Sequence, residues 1–152
     1  MKTLILGLLI LAGTCGSQKD KIKNTNYQEL DDNPLTLILS DNYGGAETEQ
    51  LLVLRDAKAL KNFFTKVNMT RKPGLKIPEI DFNTEMVVIY CNGKTSDTPT
   101  SRIRGVLVED NQMILDIENT KDNTSPSTAI LMPFHLYKMP LTEKEIVLDN
   151  NK

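Results

Sequence analysis

Two side chains of this sequence have the types that nucleophilic catalysis needs, the thiol of Cys91 and the imidazole of His135. A cysteine hydrolase holds its nucleophile within hydrogen-bond reach of an imidazole base. A serine could replace the thiol, but no Gly-x-Ser-x-Gly elbow frames one. No group of residues supplies a nucleophile, a base and oxyanion donors together. We therefore expect no catalytic site, with Cys91 packed in the core and His135 half-exposed on a strand; a hydrolase that uses both is an alternative.

The sequence predicts no metal site and no cofactor. Its acidic pairs lack soft ligands and the spacing of a calcium-binding loop. The glycines do not form a phosphate-binding motif. A formal net charge of −2 and a pI near 5.4 argue against a dedicated nucleic-acid binder. The basic loop of residues 68–77 is expected to be solvated surface without a partner.

Cys15 follows a segment with the properties of a bacterial signal. Lys2 gives it a positive start, residues 4–11 are an apolar run and residues 12–14 are small. The run is too short to span a bilayer, and the small residues predict processing before Cys15. This arrangement resembles a bacterial lipoprotein signal, which implies a lipid on Cys15 that holds the protein to a membrane. The alternative is an ordinary secretory signal with an incidental cysteine.

The sequence divides into four predicted regions. Residues 1–14 are a lipoprotein-type signal peptide, and the polar residues 15–34 are a flexible tether after the lipidated Cys15. Residues 35–148 are one domain, and residues 149–152 are a disordered tail. With 39% hydrophobic residues, the chain has room for one modest core.

The domain is expected to be organised around the unbroken apolar run of residues 86–91. A short apolar run rich in β-branched residues predicts a strand that is buried on both faces, at the centre of a sheet. Residues 57–67 predict an amphipathic helix with Asp56 as its N-cap. The apolar stripe expected to pack on the sheet is Leu60, Phe63, Phe64 and Val67.

Alternation and turn chemistry predict the other strands. The first two are expected to form a hairpin across the turn of residues 41–45. Pro133 is expected to bend its strand or to place it at an edge. The predicted fold is α+β, a mostly antiparallel sheet of about six to seven strands with one principal helix packed on one face. The predicted strands are residues 35–40, 49–54, 86–91, 102–109, 112–118, 129–137 and 145–148.

The hairpin of residues 102–118 has a two-residue turn, which sets its register and therefore its faces. The side chains expected on the buried face are Val106, Val108, Met113, Leu115 and Ile117. The opposite face is expected to be partly solvated and holds Ile103, Leu107, Ile114, Asp116 and Glu118.

Three segments in order carry a resemblance to a known family: residues 57–67, residues 78–89 and residues 127–134. Their order and spacing are similar to those of the PrcB C-terminal-domain family. These bacterial, often lipid-anchored proteins are named after an accessory subunit of a protease complex. The likeness covers residues 35–148. It implies a non-catalytic binding or stabilising role, with an envelope protease as one candidate partner, and it carries no catalytic residues.

The loop after the central strand departs from that family. The family tends to have a Gly-Gly-Tyr-like element there, whereas residues 98–103 of this chain read Thr-Pro-Thr-Ser-Arg-Ile. Loops of this kind are common binding positions. We predict an interaction loop that contains Gly93, Thr98, Pro99 and Arg102.

The predicted function is that of a non-catalytic lipoprotein that binds a protein partner as an accessory or stabilising subunit. Its predicted location is the bacterial cell envelope, with the domain in the periplasm or at the cell surface. An alternative is an envelope lipoprotein that binds a small molecule or a glycan. That alternative predicts a concave apolar pocket with a few convergent polar groups.

Overall fold

The computed structural model describes residues 33–96, 102–118 and 129–149. These residues form seven β-strands and one α-helix, so the predicted α+β class is confirmed. In chain order the elements are β1 (Thr36–Asp41), β2 (Glu49–Leu54), α1 (Ala57–Val67), a 3-10 turn (Asn68–Thr70), β3 (Glu85–Asn92), β4 (Arg102–Val108), β5 (Gln112–Glu118), β6 (Phe134–Pro140) and β7 (Glu145–Leu148).

The described strands form two sheets, so the prediction of one sheet is wrong. The four-stranded sheet has the order β1-β6-β3-β2, and all its neighbouring pairs are antiparallel. The three-stranded sheet has the order β4-β5-β7, in which β7 runs parallel to β5. Alternation shows which side chains share a face of a strand, but it does not show which strands pair.

The predicted hairpin of β1 and β2 is also wrong, because these strands lie at opposite edges of the four-stranded sheet. β6 and β3 lie between them. Residues 42–45 do bend the chain as their composition predicts. The bend leads past the end of β6, where the Gly45 amide donates a hydrogen bond to the Met132 carbonyl at 2.8 Å. The composition of residues 42–45 therefore predicted the change of chain direction correctly, but it did not predict which strand pairs with β1.

The described residues pack in three layers, with the four-stranded sheet between α1 and the three-stranded sheet. The central strand is confirmed, since every residue from 86 to 91 is at most 2% exposed. Its alternate side chains have different neighbours because both faces are covered. The side chains that pack with α1 are Val87, Ile89 and Cys91. Those that pack with the three-stranded sheet are Met86, Val88 and Tyr90.

The predicted helix is confirmed as α1, which begins after its predicted N-cap. The Asp56 carboxylate accepts a hydrogen bond from the Ala59 amide at 2.8 Å. This bond satisfies one of the amides that the first turn of a helix leaves without a partner. The helix buries Leu60, Phe64 and Val67.

The hairpin of β4 and β5 has the predicted register, with Val106 opposite Leu115. Four of the five expected side chains on its inner face are buried, whereas Val108, beside the turn, is 48% exposed. Ile103 lies in the core and not on the outer face. A β-bulge between Ile103 and Gly105 adds a residue to the strand and reverses the alternation there.

Asp116 is buried on the outer face of β5, although this face was predicted to be partly solvated. Arg104 Nη2 lies 2.6 Å from Asp116 Oδ2, and Arg104 Nε donates to the same oxygen at 2.9 Å. A carboxylate can lose its water at such a site because a cation replaces that hydration. Leu107 and Ile114 on this face are partly exposed, as predicted.

Replacing Asp56 by alanine is expected to lower the free energy of unfolding by about 1 kcal/mol, because the amide of Ala59 loses its partner. Denaturant unfolding followed by circular dichroism measures this loss. Asp56→Asn keeps an acceptor at the N-cap and should lose less. An Asp56→Ala protein that unfolds at the wild-type denaturant concentration would contradict the capping role.

Candidate functional site

Polar side chains form a row across the four-stranded sheet, on the face toward the three-stranded sheet. The row contains one residue from each strand: Glu49, Tyr90, His135 and Ser40. Tyr90 and Ser40 lie opposite His135 on its two neighbouring strands. Tyr90 Oη donates a hydrogen bond to Glu49 Oε1 at 2.6 Å, and the Tyr90 and His135 rings stack with centroids 6.5 Å apart. Ser40 Oγ lies 2.9 Å from His135 Nδ1.

His135 is buried, at 8% exposure, so the expectation of a half-exposed side chain is wrong. β6 is an interior strand, and both of its faces are covered. Burial lowers the pKa of His135, because the charged imidazolium would lose its hydration. Among the described residues, Nε2 of this ring has no hydrogen-bond partner.

Cys91 and His135 lie on opposite faces of the four-stranded sheet. Tyr90 is directly opposite His135 and shares its face. Cys91 is the next residue along β3, so its side chain points the other way and packs under α1. Burial raises the pKa of the Cys91 thiol, which favours the protonated form. These two side chains do not form a nucleophile–base pair.

The structure instead brings Ser40 to His135, a contact that sequence reasoning missed. The two residues are 95 positions apart, and only the pairing of β1 with β6 brings them together. A serine nucleophile needs an imidazole that a third group orients through its other nitrogen. His135 Nε2 has no such group among the described residues, and the Glu49 carboxylate accepts from Tyr90. The Ser40–His135 contact has the geometry of a cross-strand hydrogen bond.

The lowered pKa of His135 predicts a pH dependence of stability. The unfolded chain takes up a proton near the ordinary histidine pKa of about 6.5, whereas the folded protein resists protonation until a lower pH. The free energy of unfolding should therefore fall as the pH drops below about 6.5, because the unfolded state binds more protons. Denaturant unfolding at pH 7.5 and pH 5.5 measures this fall.

The matched control for that measurement is His135→Asn, whose side chain can still bond to Ser40 but does not titrate. The wild type should lose more stability than this variant over the same pH interval. Because His135 is the only histidine, its imidazole NMR signal also reports its pKa without ambiguity. A signal that titrates at or above pH 6.5 in the folded protein would contradict the argument.

A groove of about 530 Å³ lies between α1 and β2, on the opposite face of the sheet from the polar row. α1 buries its apolar stripe over β3 and β6, but it leaves Leu52 and Leu54 of β2 partly exposed. The floor of the groove is formed by Gln50, Leu52, Leu54 and Cys91. The wall on the helix side is formed by Ala59, Asn62, Phe63, Lys66 and Val67, and the loop of Gly44, Gly45 and Ala46 completes the lining.

β2 forms an edge of the four-stranded sheet beside this groove. It pairs with β3, and no other described strand pairs with it. An edge strand presents unpaired amide and carbonyl groups that another extended segment can bind. Alternate side chains of such a segment would enter the groove, where Leu52 and Phe63 offer apolar contacts and Asn62 offers an amide. The arrangement fits recognition of an extended peptide by strand addition.

Only part of the predicted interaction loop can be placed, since Thr98 and Pro99 lie outside the described residues. Gly93 is buried at the end of β3 with a φ of +83°, and a Cβ there would lie 3.0 Å from the Glu49 amide nitrogen. This glycine therefore lets the chain pass close to the start of β2. Arg102 is exposed and pairs with Glu118 at 3.1 Å. Cys15, the signal peptide and most of the tether also lie outside the described residues.

Within the described part of the chain, no group of three or more His, Cys, Asp or Glu side chains could hold a metal ion. No helix in that part is long and apolar enough to cross a membrane. The described residues form a three-layer α+β domain in which β2 lies at a sheet edge beside the groove. No family model, curated protein or solved structure matches the chain. The resemblance to the PrcB C-terminal-domain family therefore stays a prediction.

Proposed function

We propose that this protein is a non-catalytic lipoprotein of the bacterial cell envelope that binds a protein partner, as an accessory or stabilising subunit. The observation that carries the proposal is the groove between α1 and the edge of β2, with which β3 alone of the described strands pairs. The resemblance to the PrcB C-terminal-domain family points the same way, with an envelope protease as one candidate partner.

An extended segment of the partner would lie beside β2 and add a strand to the four-stranded sheet. Backbone hydrogen bonds to the edge would supply affinity, and every second side chain of the segment would enter the groove. Leu52 and Phe63 would contact apolar side chains. Gln50, at the exposed end of the floor, and Asn62, on the helix wall, would bond to polar ones. Gly93, the first residue of the predicted interaction loop, lies close to the start of β2.

The proposal is tested by recovery of the partner from an envelope extract of the source bacterium. Two variants alter the groove: Leu52→Arg places a charge on its floor, and Asn62→Trp fills it from the exposed face of α1. The matched control is Val108→Arg, because Val108 is also partly exposed on a strand but lies in the other sheet.

We expect one protein to co-purify with the wild type and with Val108→Arg, and its recovery to fall on the order of tenfold or more with either groove variant. Cooperative thermal unfolding of each variant shows that it is folded. Equal recovery with all four proteins, or no recovery above a tag-only control, would overturn the proposal.

Membrane attachment through Cys15 is a separate part of the proposal, and it has its own test. Cells supplied with an alkyne-labelled fatty acid are expected to label the wild type and not Cys15→Ala. Cys91→Ala is the control that should keep the label, since the chain has two cysteines. Labelling of Cys15→Ala would contradict lipidation at that residue.

The small-molecule alternative uses the same groove, whose volume of about 530 Å³ lies in the range of small-ligand sites. A bound metabolite released from the purified protein by denaturation, and absent from Asn62→Trp, would favour this alternative. The hydrolase alternative loses its support, because Cys91 and His135 lie on opposite faces of the sheet.

A further inference from the structure

Cationic side chains are concentrated in one short segment of this acidic protein. Residues 57–76, which include α1 and the loop after it, carry six Lys or Arg residues and no Asp or Glu, although the whole chain has a formal net charge of −2. They are Lys58, Lys61, Lys66, Arg71, Lys72 and Lys76. We call this segment the basic surface.

The lysines of the basic surface are free to bind something else. All five are exposed, and none has an ion pair or hydrogen bond from its side chain among the described residues. Only Arg71 is paired, with Asp41. Lys58 and Lys61 lie on the face of α1 opposite to its buried stripe. The charges of the five lysines are therefore not ion-paired within the described residues, whereas the charge of Arg71 is paired with Asp41.

Asn68 joins the loop to the helix, so that both parts of the basic surface lie together. Its side-chain amide donates to the Leu75 carbonyl at 3.0 Å and its oxygen accepts from the Leu75 amide at 2.8 Å. These bonds hold the loop against the C-terminal end of α1. The loop that carries Lys72 and Lys76 is therefore held to the end of α1 that carries Lys66.

Two apolar side chains project from the same surface. Met69, in the 3-10 turn between Lys66 and Arg71, is 79% exposed, and Ile77, next to Lys76, is 45% exposed. At a lipid bilayer, apolar side chains enter the headgroup region while neighbouring lysines stay with the anionic headgroups.

We propose that the basic surface docks on an anionic phospholipid membrane, with the lysines against the headgroups and Met69 inserted between them. Lys66 also lines the groove, but the other five cations of this surface and Met69 do not. Variants at those positions therefore test the membrane proposal separately from the partner and from the lipid on Cys15. It also gives the domain a defined orientation, with the solvent face of α1 toward the membrane.

The test is co-sedimentation with lipid vesicles. It uses the chain from residue 16 onward, which contains every described element and lacks the predicted signal and lipidation site. The probes are vesicles of phosphatidylcholine alone and vesicles that also contain phosphatidylglycerol. The first variant replaces Lys58, Lys61 and Lys72, which do not line the groove, by glutamine, and the second is Met69→Ser. The matched control replaces Lys94, Lys138 and Lys144 by glutamine, which removes the same charge from other parts of the surface.

We expect the wild type and the control to bind phosphatidylglycerol vesicles more tightly than phosphatidylcholine vesicles. Each lysine at an anionic surface contributes about fivefold to partitioning, so the first variant should bind roughly 100-fold more weakly. Binding of the wild type should also fall when salt rises from 0.1 M to 1 M, because the screening length drops from about 10 Å to about 3 Å. Met69→Ser should weaken binding without removing its salt dependence.

Equal binding to both kinds of vesicle would overturn the proposal, and so would equal losses in the lysine variant and its control. If a variant does not fold, wild-type binding that does not prefer phosphatidylglycerol or does not fall with salt would still overturn the proposal. The wild type could bind neither kind of vesicle but recover an acidic protein that the lysine variant does not recover. In that case the basic surface is a protein-binding surface and the membrane assignment is wrong.

Discussion

Replacing Phe64 by alanine is expected to remove about 3–5 kcal/mol from the free energy of unfolding, the usual cost of truncating a buried aromatic side chain. Phe64 has no exposed surface and belongs to the core between α1 and the four-stranded sheet. Its ring meets that of Phe63 edge to face, with centroids 5.7 Å apart. Domains of this size are stable by only about 5–15 kcal/mol, so the variant should be close to unfolding at 37 °C.

The neighbouring residue provides the control for this experiment. Thr65→Ala lies on the exposed side of α1 and should change the free energy of unfolding by no more than about 0.5 kcal/mol. Denaturant unfolding followed by circular dichroism measures both variants. Similar losses in Phe64→Ala and Thr65→Ala would mean that α1 does not pack on the sheet as described.

Replacing Leu115 by alanine is expected to cost about 2–5 kcal/mol, through the lost burial and the cavity left behind. Leu115 is fully buried between the two sheets, where it belongs to the same cluster as Val88 and Tyr90. This variant therefore tests the second interface of the three-layer arrangement. Since β3 and β6 belong to both interfaces, the protein should still unfold in one transition.

Ile114→Ala is the matched control for Leu115→Ala. Ile114 is the adjacent residue of β5, points to the outer face and is partly exposed, so its truncation should cost clearly less. Equal losses at the two positions would contradict the packing of the two sheets. An early transition confined to β4, β5 and β7 would show that the three-stranded sheet unfolds by itself.

Features set by neighbouring residues could be predicted from the sequence. The apolar run of residues 86–91 indicated a strand covered on both faces, and β3 is such a strand. The N-cap at Asp56 and the spacing of the apolar stripe gave the limits of α1. The register of the hairpin of β4 and β5 followed from its short turn. Each of these inferences uses contacts within a few residues of the chain.

The pairing of distant strands could not be predicted in this way. The turn of residues 41–45 suggested a hairpin, whereas β6 and β3 lie between β1 and β2. β2 and β3 both have apolar side chains on two faces, but the apolar run of β3 is longer, so β3 gains more from a central position. The division into two sheets depends on the same long-range packing, which no short window of sequence contains.

The contacts of the candidate site also depend on the pairing of distant strands, so they could not be predicted from the sequence. His135 was predicted to be half-exposed on its strand, yet it is buried, and β1 and β3 flank its strand in the sheet. Its contact with Ser40 and the hydrogen bond of Tyr90 to Glu49 both cross between strands. The groove arises because α1 covers β2 incompletely. Helical periodicity predicts which face of α1 is buried, but not how far across the sheet the helix extends.

The most direct test of the proposed function is photo-cross-linking in living cells from a position in the groove. A photoreactive amino acid replaces Gln50, which is exposed at the groove, or Asp110, which is exposed at the turn between β4 and β5. We expect position 50 to cross-link to an extended segment of one envelope protein, position 110 to give no such product, and Asn62→Trp to reduce the product at position 50. The same products from both positions, or none from position 50, would contradict the assignment of this groove as the binding site.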